Sequence, residues 1–197
     1  SGHNYADSYV AAGKTLIINP EITGATGFEM WSGTGTFVFN GINTFESNVI
    51  FGTSGTISVS KIGNKGSTTS NLGQGTLLRF ATSGARLLYT GVGETSDRLI
   101  QMENSMTLDH SGTGDLIFSS AFNVLANTKT LTLQGSTVGI GEISGIVSNG
   151  TATTSLTKDG TGMWRLSAAN SFAGGTTVRD GTLALTGANG ATTNSSG

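Results

Sequence analysis

Acidic side chains are concentrated in the middle of this chain, and they are its best candidates for chemistry. Five of the twelve acids lie between positions 94 and 115: Glu94, Asp97, Glu103, Asp109 and Asp115. Two carboxylates held near each other can protonate a glycosidic oxygen and activate water or attack the sugar. If the chain repeats with a period near 20, Glu94 and Asp115 lie nearly above one another. Glu94, Asp97 and Asp115 therefore define one alternative, a protein that binds glycans or degrades polysaccharides.

The competing interpretation of the same acids is a solvated surface without catalysis. Arg79, Arg86 and Arg98 lie close by in the sequence and can pair with the acids. Of the two interpretations, the solvated surface is the commoner one for such a cluster, and we expect no enzyme here.

Other catalytic and cofactor motifs are missing or incomplete. His3 and His110 are the only histidines and there is no cysteine, which argues against a histidine-based triad or a zinc site. Gly13-Lys14-Thr15 is similar to the end of a phosphate-binding loop, but Ser8 stands where that motif begins with glycine. Neither a Gly-x-Ser-x-Gly elbow nor a calcium-binding Gly-Gly-x-Gly-x-Asp repeat occurs. We predict no cofactor and no metal.

Aromatic side chains allow two interpretations. Trp31, Phe28 and Tyr89 could form an exposed platform that stacks on sugar rings. The alternative is that aromatic residues fill the interior, as we expect for Phe37, Phe39, Phe45, Phe51, Phe80, Phe118 and Trp164.

Composition excludes several classes of partner. Ten Lys and Arg balance twelve Asp and Glu, without the basic run that a nucleic-acid binder or an anionic membrane requires. No apolar stretch approaches the roughly 20 residues that span a bilayer. The 197 residues include 31 Thr, 23 Ser and 31 Gly, which favour strands and turns over long helices.

A short phrase recurs at a regular spacing: a small or turn residue, then Thr, then alternating apolar positions. Its threonines are Thr15, Thr36, Thr56 and Thr76. A period near 20 predicts the coils of a solenoid, in which alternate side chains of short strands point inward. We therefore expect two inward columns, Leu16-Phe37-Ile57-Leu77 and Ile18-Phe39-Val59.

Three segments depart from this repeat. Residues 63–73 are polar and predict a loop that projects from its coil. Residues 91–110 are the most charged part of the chain and are interpreted as irregular. Residues 187–197 are polar and low in complexity, as in a linker or tail, which leaves residues 1–186 as one solenoid domain.

Residues 155–185 carry a resemblance to a known family. The run that begins Leu156-Thr157-Lys158-Asp159-Gly160 and ends Asp180-Gly181-Thr182-Leu183 resembles the autotransporter-associated β-strand repeat, also called the passenger-associated transport repeat. The family usually has Thr, Gly, Thr and Tyr at the positions of Met163, Ala168, Ser171 and Phe172.

The resemblance implies an all-β, right-handed parallel β-helix with no catalytic residues, exported to the surface of a bacterium. It implies core positions at Trp164, Leu166, Phe172, Val178 and Leu183. We accordingly expect a secreted or surface-exposed structural element, such as a stalk, adhesin or filament. Such a solenoid could associate with itself through its ends or by strand donation, and could meet a surface glycan or a protein receptor.

Overall fold

The computed structural model describes residues 5–125, 127–136 and 138–187, and these residues form strands and turns without a helix. The strands are β1 (Tyr5–Tyr9), β2 (Thr15–Ile18), β3 (Gly27–Ser32), β4 (Thr36–Phe39), β5 (Val49–Phe51), β6 (Thr56–Val59), β7 (Leu77–Phe80), β8 (Ala85–Tyr89), β9 (Glu94–Ser96), β10 (Leu99–Met102), β11 (Met106–His110), β12 (Leu116–Phe118), β13 (Asn123–Val124), β14 (Lys129–Gln134), β15 (Ile140–Ile143), β16 (Thr154–Lys158), β17 (Met163–Leu166), β18 (Thr176–Val178) and β19 (Thr182–Leu185).

Three parallel sheets form the walls of a solenoid. Sheet A has the order β1-β3-β5-β7-β10-β13, sheet B the order β2-β4-β6-β8-β11-β14-β16-β18, and sheet C the order β9-β12-β15-β17-β19. The chain makes about eight turns of about 22 residues. The predicted β-solenoid is confirmed, with turns slightly longer than the sequence period suggested. At roughly 4.8 Å per turn, the stack is roughly 40 Å long.

The first predicted inward column is confirmed for three of its four members. Leu16 pairs with Phe37, and Phe37 with Ile57, in adjacent strands of sheet B. The next residue in register is Leu87, so the prediction of Leu77 was wrong. Leu77 belongs instead to sheet A, where it pairs with Leu99.

An insertion explains this error. Thr36 and Thr56 are in register on successive coils, but the residue in register after Thr56 is Arg86 and not Thr76. The coil that begins at Thr56 is therefore longer than the one before it. The additional residues form the loop predicted at 63–73, and they displace the next Gly-Thr-apolar phrase onto a different wall. The second column, in which Ile18, Phe39 and Val59 are in register, is confirmed.

Threonines line the outer surface of sheet B as a column of their own. The residues in register along this column, from β2 to β18, are Thr15, Thr36, Thr56, Arg86, Thr107, Thr132, Thr157 and Thr177. The regular spacing of threonines in the sequence therefore reflects one outward position per coil, interrupted once by Arg86.

A glycine on the preceding coil makes room for the tryptophan of the repeat segment. Gly141 pairs with Trp164, and a Cβ added to Gly141 would lie 2.5 Å from Cδ2 of the indole. Trp164 is buried, and its Nε1 donates to the Gln134 carbonyl at 2.9 Å. Only glycine at position 141 leaves room for this ring inside the coil.

The interior holds the predicted aromatic residues. Phe37, Phe39, Phe45, Phe51, Phe80, Phe118 and Trp164 are all at most 1% exposed. Of the core positions that the resemblance implied, Leu166 and Phe172 are also buried, and Leu183 is half-buried. Val178 is in register with the buried Lys158 but is itself 52% exposed, because β18 is an edge strand of sheet B.

The charged segment is built as an ordinary coil. Residues 91–110 contain β9, β10 and β11, one strand on each sheet. The prediction of an irregular segment was therefore wrong. The tail expected at residues 187–197 lies outside the described residues, apart from Gly187.

Candidate binding surface

Glu94 binds the backbone at the start of the inserted loop. It lies on β9, the first strand of sheet C, and its Oε1 accepts the N–H of Ile62 at 2.6 Å. Its Oε2 accepts the N–H of Gly63 at 2.9 Å. Both carboxylate oxygens are therefore engaged by adjacent backbone donors.

Arg98 holds the inside of the same loop. The side chain is 1% exposed, and its guanidinium donates to the carbonyl oxygens of Ile62, Gly63, Leu72, Gly73 and Gly75 and to the hydroxyl oxygen of Ser70. Burial lowers the pKa of Arg98 to about 10, with the nearby charges of Glu94 and Asp97 opposing the shift. Arg98 thus serves as a buried centre around which the loop folds.

Ser96 and Asp97 complete the contact between β9 and the loop. Ser96 Oγ donates to the Gly63 carbonyl at 2.7 Å. Asp97 Oδ1 accepts the N–H of Lys65 at 2.8 Å, and its other oxygen lies 3.6 Å from Lys65 Nζ. The Asp97 N–H in turn donates to Asn64 Oδ1 at 3.0 Å. We call the segment 94–98 the clamp.

Asn71 anchors the far side of the loop. Its Oδ1 accepts the N–H of Lys61 at 2.7 Å, and its Nδ2 donates to the Gly41 carbonyl at 2.8 Å. The loop is therefore fixed both to its own coil and to the coils on either side.

The third candidate acid lies one strand away from the clamp. Asp115 immediately precedes β12, where Leu116 pairs with Glu94, and its Oδ1 accepts the Ile140 N–H at 2.8 Å. The structure thus places Asp115 on the coil next to Glu94, as the period predicted. The two carboxylates bind different backbone segments.

The remaining acids of the cluster pair with arginine. Glu103 accepts two hydrogen bonds from Arg79, at 2.7 and 3.1 Å, and Arg79 lowers the pKa of this carboxyl. Arg86 pairs with the buried Asp109. The expectation that arginines pair with these acids holds for Arg79 and Arg86, whereas Arg98 donates to carbonyl oxygens.

A small cleft opens beside the clamp. Its volume is about 320 Å³ and it is lined by Ser60, Lys61, Tyr89, Val92, Gly93 and Glu94. Burial raises the pKa of Tyr89 to about 12, and the charge of Glu94 adds to the shift. The Tyr89 hydroxyl oxygen accepts the Gly93 N–H at 3.0 Å, which opposes this rise in pKa only in part, so the phenol beside Glu94 is neutral.

A second cleft lies at the junction of sheets B and C. It measures about 330 Å³ and is lined by Arg86, Asp109, Ser111, Gln134, Gly135, Ser136, Asp159 and Gly160. At its base, Asp109 also accepts hydrogen bonds from Ser111 Oγ at 2.6 Å and from Gln134 Nε2. The lining is polar, with no aromatic side chain among these residues.

The three candidate stacking residues separate clearly. Trp31 is 51% exposed on the outer surface of sheet A, whereas Phe28 and Tyr89 are buried. The platform interpretation therefore applies to Trp31 alone.

Sequence reasoning missed Ser96, Asn71 and the role of Arg98. The one available signal is that Arg98 directly follows Asp97 and lies four positions after Glu94, in a chain with few charges.

Within the described ranges, no three His, Asp or Glu side chains stand close enough together to hold a metal ion. None of the described residues belongs to a helix long and apolar enough to cross a membrane.

Comparison with known proteins identifies the repeat segment. Residues 156–185 match the Passenger-associated-transport-repeat family, which confirms the predicted resemblance. The chain is 38% identical over 115 residues to the Adhesin BmaC autotransporter of Brucella suis biovar 1 (strain 1330). The aligned residues cover 55% of this chain and 3% of that protein. The chain thus spans a small fraction of this relative's length. No solved structure gives a significant match.

Proposed function

We propose that this chain, which carries a passenger-associated transport repeat, is an extracellular passenger element of adhesin type. In this proposal the solenoid is a stiff support, and the loop at residues 63–73 is the surface that it presents. The main observation that supports this proposal is the clamp, which fixes the loop through Glu94, Asp97 and Arg98. Pre-ordering a loop lowers the entropy that binding would otherwise cost.

The tip of the loop fits a polar partner. Asn64, Lys65, Thr68 and Thr69 are exposed at the tip, while the loop residues from Ser70 onward are buried. A fixed base with an exposed polar tip is the arrangement expected of a recognition loop on a rigid scaffold.

The bacterial surface as the location is supported by the repeat and by the autotransporter adhesin that resembles this chain. We propose that the chain is displayed there as part of a passenger region.

We also propose that the chain is not an enzyme. Glu94, Asp97 and Asp115, the acids of the catalytic alternative, each accept hydrogen bonds from backbone N–H groups. A general acid must instead hold a proton near the substrate.

End-to-end association is a second proposal, supported by the edge strands. Among the described residues, β2 and β18 pair on one side only. They expose Leu16, Ile17 and Val178 by 43, 57 and 52%. We propose that a second copy pairs with these edges wherever no further coil of the same chain covers them.

Adhesion under flow tests the main proposal. Beads coated with the purified chain are passed over epithelial cell monolayers and their retention is measured against uncoated beads. We expect retention that falls when the loop tip is changed by Thr68→Ala with Thr69→Ala. The matched control is Thr113→Ala with Thr177→Ala, two exposed threonines outside the loop. Retention no higher than that of uncoated beads, or equal retention of loop and control variants, would contradict the proposal.

Sedimentation velocity with electron microscopy tests the association proposal. We expect rods joined end to end, and fewer of them after Val178→Lys. Single rods at high concentration, for both the parent chain and the variant, would contradict it.

A further inference from the structure

The outer surface of sheet A has features that neither the repeat nor the loop explains. Phe28 and Met30 of β3 point into the core, so Glu29 and Trp31 point outward. Trp31 is 51% exposed. Trp31 lies at a register shift between β1 and β3, where Ser8 pairs with Met30 and Tyr9 with Ser32. A large aromatic ring held at the surface of a strand offers apolar area to a ligand at little cost in conformational entropy.

The floor beside Trp31 is made of small residues. Met30 pairs with Phe51, and Phe51 with Phe80, and the residues that follow these three on their strands are Trp31, Gly52 and Ala81. The Ala81 N–H donates to the Phe51 carbonyl at 3.1 Å, so the ladder continues through this position. Glu29 borders the floor, since a Cβ added to Gly52 would lie 3.1 Å from its Oε1. A shallow trough therefore extends from Trp31 across two strands.

Planar polar side chains form the opposite wall. The residue in register after Ala81 is Glu103, whose N–H donates to the Phe80 carbonyl at 3.1 Å. Glu103 accepts the two hydrogen bonds from Arg79 and one from Gln101, and Gln101 accepts one from Asn123 at 3.0 Å. Trp31 and Glu103 are three strands apart, roughly 14 Å.

This wall is fixed and balanced in charge. Arg79, Gln101 and Asn123 are consecutive in register on β7, β10 and β13. Each is half-buried, and each is joined to a neighbour by the hydrogen bonds above. The Arg79 and Glu103 charges compensate each other, which disfavours an ion as the ligand. The wall offers amide and guanidinium groups, which suit hydrogen bonds to hydroxyls.

We propose that the trough between Trp31 and the wall formed by Arg79, Gln101, Glu103 and Asn123 binds an uncharged oligosaccharide, with Trp31 stacked on one sugar ring. A protein partner would require a larger apolar centre than a single exposed indole. The inference rests on the proposed surface role and gives it a second contact, separate from the loop at 63–73. It also places glycan binding on sheet A rather than at Glu94, Asp97 and Asp115.

Tryptophan fluorescence provides the direct test. The chain has two tryptophans, and Trp164 is 1% exposed, so Trp31 reports a ligand at the trough. The probes are cellohexaose, maltohexaose and chitohexaose, which are uncharged, and hexagalacturonate, which is acidic. We expect at least one uncharged probe to shift the Trp31 emission to shorter wavelength. Calorimetry should then show roughly 30-fold weaker binding for Trp31→Ala.

Two further variants separate binding from folding. Ala81→Phe fills the floor without replacing Trp31 or the residues of the wall. We expect it to abolish binding while the free energy of unfolding is unchanged. Ile17→Ala removes an equally exposed apolar residue from sheet B, and we expect it to bind like the parent chain. The proposal is overturned if no uncharged probe binds, if only hexagalacturonate binds, or if Trp31→Ala binds as tightly as the parent.

The bead experiment distinguishes this inference from the proposed function. Retention that depends on Thr68 and Thr69, with no oligosaccharide binding at Trp31, overturns the trough alone. Oligosaccharide binding at Trp31 with no bead retention overturns the loop proposal alone. Retention that requires Trp31 on a surface stripped of glycans indicates a protein occupant and overturns the inference.

Discussion

Oε1 of Glu94 accepts the backbone N–H of Ile62 at 2.6 Å, although the two residues are 32 positions apart in the sequence. This bond joins the first strand of sheet C to the first residues of the inserted loop. Together with Arg98, it turns the most acidic stretch of the chain into a support for a surface loop.

Removing the guanidinium should release the loop. Arg98→Met keeps much of the side-chain volume but leaves buried carbonyl oxygens of the loop without donors. We expect a loss of about 3 kcal/mol in the free energy of unfolding, measured by urea denaturation. Lys65→Ala is the control, because its ion pair with Asp97 is exposed and we expect a loss below about 1 kcal/mol. Equal effects of the two substitutions would contradict the role given to Arg98.

Gly141 should be among the least replaceable glycines. Gly141→Val places methyl groups where the Trp164 ring lies, and we expect a loss of about 3 kcal/mol. Gly175→Ala is the matched control, since an added Cβ there has no neighbour within 4 Å. Thermal unfolding of both variants checks the prediction, and an unchanged melting temperature for Gly141→Val would refute it.

Lys158 should be essential to the repeat despite being charged. It is 0% exposed, and its Nζ donates to the carbonyl oxygens of Asp159 and Gly160 at 2.6 Å and of Asp180 at 3.1 Å. Lys158→Met leaves these oxygens without their donor, and we expect a loss of about 2 kcal/mol. Denaturant unfolding measures the effect. A variant as stable as the parent would contradict this role, because water would then satisfy the three carbonyl oxygens equally well.

Acid should weaken the fold through His110. The imidazole is 1% exposed between Tyr89 and Trp164, with ring centroids 5.6 and 6.4 Å away. Burial lowers the pKa of His110, against weaker opposing influences from Gly114, Asp115 and Asp109. The unfolded chain therefore binds this proton at a higher pH than the folded chain does. Stability is complete above about pH 6.5 and is lost as the pH falls below it, by up to about 1.4 kcal/mol per pH unit.

Urea midpoints between pH 8 and pH 5 check this prediction, with His110→Phe as the comparison. The variant should lose the slope in that range. Arg79 and Arg165 lower the pKa values of Glu103 and Glu142, so the stability that these two acids contribute is lost only as the pH falls below about 4.5. A parent chain with a flat profile down to pH 5 would contradict the buried neutral histidine.

The repeat explains why much of this fold can be predicted from sequence. Thr15, Thr36 and Thr56 occupy one outward position in successive coils, so their spacing reports the coil length directly. The phrase around Leu77 has the same alternation but lies on sheet A. Alternation specifies which side chains point inward, and it carries no information about which wall a strand joins. An insertion therefore shifts the assignment without changing the pattern.

The site was harder to predict for a related reason. A cluster of acids has the same composition whether it faces solvent, a substrate or a backbone. Which of these it faces depends on the loop at 63–73 folding back onto β9, a strand of the following coil. Likewise, Trp31 is exposed and Phe28, three positions earlier, is buried. An odd separation on one strand places two side chains on opposite faces, but this follows only once residues 27–32 are known to form a strand, and no repeated phrase marks them as one.

Amide hydrogen exchange at the loop tests the central claim most directly. The N–H groups of Ile62, Gly63 and Lys65 donate to Glu94 and Asp97, so they should exchange as slowly as amides in the strands of sheet B. Glu94→Gln should accelerate exchange at Ile62 and Gly63 while leaving the sheet amides unchanged. Exchange of all three amides at the rate of an unstructured loop in the parent chain would contradict the account of a clamped, presented loop.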